Sequence, residues 1–513
     1  MNWVAEKCQR LEMTEIEGTI ETIDAVPHNS AARRSLYAAR VKIHPKRGAG
    51  FFRNLKWLVM AVTLGIYYIT PWLRWDRGEF APNQAVLVDL AHRRFYFFFI
   101  EIWPQEFYYV AGLLIMAGIG LFLVTSTIGR AWCGYTCPQT VWTDLFLVIE
   151  RWVEGDRNAR IRLDGAAWSF GKLWKRTLKN VLWLLIAVAT GGAWIFYFAD
   201  APTLAREFFT FTAPPVAYIT VALLTATTFV FAGYLREQVC TYMCPWPRIQ
   251  AAMLDEDSLV VTYNDWRGEP RSRHRKKVEA SGEKAGDCVD CNACVAVCPA
   301  GIDIRDGQQL ECITCALCID ACDNVMDRIG APRGLISYST LKTYDAQKAG
   351  KPATVGWQSF LRPRTFVYAV LWLAVGLLML VSLLHRDRLD VTVQSDRNPQ
   401  FVKLSDGSIR NGYTLKILNM EQHPRKFDLT LEDLPTAAMT MAGVDGEPRH
   451  SFSIDVDADK LRAIRVFVVN PARSLSGEPV PFTFKVVEQA SSGEAETRSY
   501  AATFQSPAKE KAP

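Results

Sequence analysis

The sequence predicts a multidomain membrane protein: an α-helical bundle of about five transmembrane helices, a small cysteine-rich insert between the fourth and fifth, and an all-β domain at the C-terminal end. Three observations carry that prediction. Half of the 513 residues are hydrophobic, and they are gathered into long uncharged runs rather than spread as in a large soluble core. Twelve of the thirteen cysteines lie in tight groups between Cys133 and Cys322, a pattern that suits metal ligation better than disulfide stapling. After Arg388 the hydrophobic pattern changes to short alternating runs, the period of strands.

The uncharged runs are Trp57 to Leu73, Phe107 to Gly129, Val181 to Ala199, Phe208 to Leu235 and Phe366 to Leu384. Each is long enough, or nearly so, to cross a bilayer, the first being the shortest. Residues 1–56 are polar, hold ten Lys or Arg, and run too far before the first apolar segment to read as a cleaved signal, so the first span is expected to anchor. Cys8 stands alone there and is given no role. The segments after successive spans hold four, nine, one and seventeen Lys or Arg up to the fifth span. The rich segments belong in the cytoplasm, which puts the N-terminus inside and everything after Leu384 outside. The expected organisation is a cytoplasmic segment 1–56, a four-helix membrane domain 57–254, a cytoplasmic insert 255–345, a linker 346–365, a fifth helix 366–384 and an outer domain 385–513.

Between the first two spans, Asp76 to Glu106 contains the aromatic run Phe95 to Phe99 and then Trp103-Pro104-Gln105. This reads as an interfacial element, and Glu101 and Glu106 argue against a further span. The insert opens with the basic stretch Arg271 to Lys277. Its place just cytoplasmic of a span points to lipid headgroups and the positive-inside signal, not to nucleic acid. In the C-terminal region, residues 412–418, 451–456 and 481–487 alternate as strands of a small antiparallel sandwich. This region has no cysteine, so it relies on its core alone, and its polar end is expected to fray from Ala501.

The most specific signal is Cys288-x2-Cys291-x2-Cys294-x3-Cys298-Pro299, repeated 24 residues later as Cys312-x2-Cys315-x2-Cys318-x3-Cys322. Three thiolates at this spacing converge on one face of a cuboidal cluster, and the fourth reaches across to the neighbouring cluster. The crossed assignment puts Cys288, Cys291, Cys294 and Cys322 on one [4Fe-4S] cluster and Cys312, Cys315, Cys318 and Cys298 on the other. Paired zinc knuckles are the alternative, but they seldom use an unbroken three-cysteine spacing. The insert resembles bacterial two-cluster ferredoxins, with one departure: Asp323 follows Cys322 where that pattern has proline, leaving the backbone freer there.

A second motif occurs twice, as Cys133-Gly134-Tyr135-Thr136-Cys137-Pro138 and Cys240-Thr241-Tyr242-Met243-Cys244-Pro245. The copies lie 107 residues apart, at the cytoplasmic ends of the second and fourth spans. A spacing of four is expected to put both sulfurs of a pair on one helix face, so that two such ends gather four thiolates. That set suits Cu(I), an iron-sulfur centre or reversible disulfide chemistry, with Met243 available as a thioether.

The order of these parts resembles the cytochrome c oxidase accessory proteins of the CcoG, FixG and RdxA type, polyferredoxin-like membrane proteins. The resemblance runs from about Arg53 to Pro507. It implies an immunoglobulin-like C-terminal fold, a bacterial inner-membrane location with a periplasmic C-terminal domain, and reduction of Cu(II) to Cu(I) during assembly of cbb-type cytochrome c oxidase. On that reading Cys133, Cys137, Cys240 and Cys244 handle copper or relay an electron. Oxidase subunits and copper chaperones become the expected partners. Two other functions stay open: quinol oxidation, as in membrane proteins resembling NapH, and a non-enzymatic assembly scaffold with structural clusters. No Gly-rich nucleotide fingerprint is present, so the electron donor is external. His92 and His385 are the lone histidines considered for an outer copper site.

Overall fold

The computed structural model describes residues 23–25, 27, 42–78, 81–273, 282, 285–421, 423–444, 447–471, 478–489 and 495–507. Cys8 and the basic residues 274–277 lie outside the described residues. The chain divides into two compact units, one of residues 1–73 and 85–379, the other of residues 74–84 and 380–513.

In the first unit, α1 (Phe51–Ile69) begins six residues before the expected run. The carboxylate of Asp320 accepts the backbone N–H groups of Phe52 at 3.2 Å and Arg53 at 2.7 Å, satisfying donors that a helix start leaves open. Next come a three-stranded antiparallel sheet, β1 (Val86–Asp89), β2 (Arg94–Phe97) and β3 (Ile100–Ile102), and then α2 (Tyr108–Ile128). An amphipathic α3 (Pro138–Glu154) precedes α4 (Phe170–Ile195), which starts at a Ser169 cap, well before the uncharged run at Val181. Phe208 is not in the next span. It lies in the last turn of a separate helix, α5 (Ala201–Phe209), and α6 (Pro215–Thr228) starts afresh after Pro214 before widening into a π-helix through Leu235. After α7 (Trp246–Met253), the strand β4 (Val260–Tyr263) pairs with β5 (Ile336–Ser339) across the insert, which contains α8 (Ala293–Val297) and α9 (Leu317–Ile329). The last helix is α10 (Pro363–Leu384).

Among the described residues, four helices are long and apolar enough to cross a membrane: Pro104–Ile128, Phe170–Ile195, Pro215–Leu235 and Pro363–Leu384. The helix α1 is not one of them, because its first two turns carry Arg53 and Lys56. Both side chains are buried, and Arg53 Nη1 bonds Asp144 Oδ1 at 2.9 Å. The polar face of α3 extends this network, with Glu150 Oε2 at 3.0 Å from both Arg160 and Arg236. Burial alone would raise the Glu150 pKa, but Arg236, Arg160 and Lys179 outweigh it and hold the carboxyl at about 2.

The second unit is a sandwich of two antiparallel sheets. One runs β10-β12-β8-β6 with β7 on β8, and the other β11-β9-β13-β14. The strands are β6 (Leu389–Ser395), β7 (Val402–Lys403), β8 (Ile409–Asn419), β9 (Arg425–Glu432), β10 (Ala438–Met441), β11 (Ser451–Val456), β12 (Lys460–Asn470), β13 (Val480–Glu488) and β14 (Thr497–Phe504). Alternation does the work here: Ile409, Tyr413, Leu415 and Ile417 of β8 point inward against Phe427, Phe482 and Phe484. The chain does not fray from Ala501, since β14 continues to Phe504, whose ring is fully buried in this core.

Candidate metal centre

The two cysteine blocks of the insert adopt the same backbone. Asp290 and Asn292 of the first block have φ of 48° and 55°, and their counterparts 24 residues on, Thr314 and Ala316, have 55° and 58°. Left-handed conformations at non-glycine residues cost about 1–2 kcal/mol each, so four at matched positions mark an imposed shape. They curl each block so that backbone amides face the sulfurs. Ala293 N–H reaches Cys291, Ala300 and Ile302 reach Cys298, and Thr314 reaches Cys312.

The thiols fall into two sets by mutual proximity. Cys322 lies within electrostatic reach of Cys288, Cys291 and Cys294. Cys298 lies beside Cys312 and Cys315, and Cys318 adjoins all three. Burial pushes the thiols up, to about 12 for Cys294 and Cys298 and about 11 for Cys312. Dry thiols so placed have little use as free acids. They suit ligands deprotonated by iron, and Cys298, Cys312, Cys315 and Cys318, with Cys294, line one apolar space. The guanidinium of Arg305 bonds Asp290 at 2.8 Å and Asn292 at 2.7 Å and stands within reach of Cys294 and Cys288. Asp323 is explained locally: α9 runs on to Ile329, where a proline would have broken it, and the Asp323 carboxylate accepts Gly334 N–H at 3.0 Å.

The two membrane-end motifs also share one fold, but not the expected one. Trp132–Thr136 and Val239–Met243 are π-helical turns, closed by Cys137 N–H to Trp132 O and Cys244 N–H to Val239 O, both 2.8 Å. The second cysteine of each is extended, with ψ of 128° at Cys137 and 123° at Cys244. The cause is the following proline, which drives its predecessor out of the helical region; Cys298, also before proline, has ψ 122°. The paired sulfurs therefore do not share an α-helical face. Cys133 is nonetheless within electrostatic reach of Cys137, Cys240 and Cys244. Burial raises Cys133 and Cys240 to about 12. No disulfide joins any of these twelve cysteines.

The copies differ in surroundings. The first is docked on the insert: Tyr135 Oη donates to Cys315 O at 3.2 Å, and Arg130 Nη1 donates to Cys312 O at 3.1 Å. Gly134 permits the approach, for a Cβ there would stand 2.8 Å from Ile313 O and 3.1 Å from Cys315 Cα. In the second copy Tyr242 and Met243 are 67% and 55% exposed. His92 is also exposed, bonded to Asp89 at 2.7 Å.

Arg130, Arg305 and Gln250 were not singled out by sequence. Gln250 is fully buried, and its Oε1 accepts from Cys133 Sγ at 2.9 Å. Only the position of Arg130 one turn before a cysteine motif offered any signal.

Residues 235–341 match the family model of a 4Fe-4S dicluster domain, residues 110–155 that of a 4Fe-4S binding domain, and residues 379–507 that of the IG-like fold at the C-terminus of FixG. With four long apolar helices, these domains define a membrane iron-sulfur electron-transfer protein of oxidoreductase type. The chain is 58% identical over 521 residues to nitrogen fixation protein FixG of Rhizobium meliloti (strain 1021), across 97% of this chain and 99% of that one. It is 55% identical to protein RdxA of Cereibacter sphaeroides, across 86% of this chain and 91% of that one. Protein RdxB of the same organism is 57% identical, across 85% and 90%. The chain belongs to the FixG/RdxA family.

Proposed function

We propose that this protein accepts electrons from an external low-potential donor and reduces Cu(II) to Cu(I) for the assembly of cbb-type cytochrome c oxidase. Cys288, Cys291, Cys294 and Cys322 would hold one [4Fe-4S] cluster, and Cys312, Cys315, Cys318 and Cys298 the other. When bound, each cluster supplies one electron at a time. Cu(II) needs one, and soft sulfur donors favour the Cu(I) product.

The observation that carries this reading is the seating of Gly134 and Tyr135 on the backbone of Cys315, which brings the first membrane-end motif against the second cysteine block. Met243, exposed next to Cys244, offers copper a thioether on the outward side.

The same reading takes α1 as a fifth crossing. Residues on the near side of α1 bond the insert: Ile23 N–H to Cys291 O at 3.0 Å and Lys46 N–H to Ala296 O at 2.7 Å. The insert follows α6 and its basic flank belongs inside. The segment between α1 and α2 bonds the far end of α4, through Val88 N–H to Tyr197 O at 2.7 Å. On this reading α1 crosses with its buried Arg53 and Lys56 at the cytoplasmic end, and the β-sandwich lies in the periplasm.

The test is anaerobic: the full-length chain, reduced with dithionite and freed of excess reductant, is given Cu(II) and a Cu(I)-specific chelator. Stoichiometric Cu(I) with parallel return of the cluster absorbance that reduction bleaches is expected. Bleaching of the oxidised clusters by a quinol analogue, with no Cu(I) formed from Cu(II), would replace copper reduction with quinol oxidation.

A further inference from the structure

We infer that Cys133, Cys137, Cys240 and Cys244 together hold a third [4Fe-4S] cluster, resident at the membrane end of the protein and distinct from the two in the insert. The inference rests on the electron-transfer reading above and settles what the four thiols do in it: they form a fixed redox group, with copper as a visitor beside them.

The donor set is the first support. Cys133 stands among Cys137, Cys240 and Cys244, with Arg130 also acting on it; Cys240 adds Glu237. Four sulfurs without histidine are the usual ligands of a cubane. Zinc and copper(I) also accept sulfur, so local conformation and the family match have to decide.

Local conformation agrees. Cys137 and Cys244 take the extended pre-proline geometry of Cys298, the residue that serves as the remote fourth ligand in a ferredoxin block. Further, residues 110–155 match a 4Fe-4S binding domain yet contain only Cys133 and Cys137. Two ligands cannot complete a cubane, and the fold supplies the other two from the second copy. Finally, the surroundings suit an anionic group. Arg130 lies between this site and the second block, in reach of both Cys133 and Cys312.

Iron and acid-labile sulfide are counted per chain in the anaerobically purified, full-length protein and in Cys133→Ser/Cys240→Ser. Three clusters give about twelve of each in the wild type and about eight in the variant, a ratio of about 1.5, while the low-temperature EPR of the insert's clusters persists in both. A wild-type count of about eight, with four thiols still open to alkylation or with copper bound to them, overturns the inference. If the variant loses all iron, the wild-type count and alkylation decide alone, because a count of about twelve needs every one of the twelve grouped cysteines. The two proposals fail separately. About twelve irons without Cu(I) production leaves the third cluster and removes copper, and about eight with Cu(I) production does the reverse.

Discussion

Arg305 is held by Asp303, Asp290 and Asn292 within reach of Cys294 and Cys288 of the first set of thiols. A fixed positive charge there favours the reduced, more negative cluster. Arg305→Gln should therefore move one of the insert's potentials to more negative values, by an amount on the order of tens of millivolts, in an EPR-monitored redox titration. No movement would mean that the local carboxylates already cancel the charge. Glu150 answers a different question, that of cohesion. It is fully buried among Arg160, Arg236 and Lys179, so Glu150→Gln leaves cations unpaired and should cost about 3–5 kcal/mol, read as a lowered unfolding midpoint in detergent. Its carboxyl is depressed to about 2. The stability it contributes is therefore complete above the ordinary carboxylate pKa of about 4.3 and is lost as the pH falls toward 2.

At the scale of elements, the π-turn from Trp132 to Thr136 makes the join between membrane helix and insert. Gly134→Val should force this turn off the Ile313 carbonyl and slow Cu(I) formation at least about tenfold, since roughly 1 Å of displacement can cost far more. The iron content should stay at the wild-type value. Equal rates would show that electrons leave by another route. Elements also differ in how far the sequence announces them. The strands of the sandwich and the cysteine blocks were legible because their spacing is their geometry: inward residues at every second position, ligands at fixed offsets. The π-turns were not, because the pre-proline effect reshapes a four-residue spacing that otherwise reads as α-helix. The sheet of Val86 to Ile102 was hidden under an aromatic run that also suits a membrane interface. Arg130 and Gln250 act on partners 182 and 117 residues away, a distance no local pattern records. The family resemblance supplied the immunoglobulin-like fold that strand periodicity left unspecified.

The whole molecule carries two kinds of core. The second unit packs Tyr413, Phe427, Phe482 and Phe484 without a cysteine, whereas the insert's core includes Cys288, Cys294 and Cys322 themselves. Calorimetry on the full chain should resolve two transitions, and chelating the iron should lower or abolish only one of them. Phe484→Ala should lower the other by about 3–5 kcal/mol with iron content unchanged. A single merged transition, shifted by both treatments, would show the units to be energetically coupled.

Crossed neighbours set a timetable for biosynthesis. Cys298 stands with thiols that are translated after it and Cys322 with thiols translated before it, so the second set is complete only at Cys318 and the first only at Cys322. By then every hydrophobic segment except the last has emerged, and at about 5–20 residues per second the nascent chain waits with bare sulfurs for several seconds. Whatever machinery donates iron and sulfide can therefore begin no earlier than this, on a polypeptide already held at the bilayer by its first hydrophobic segments.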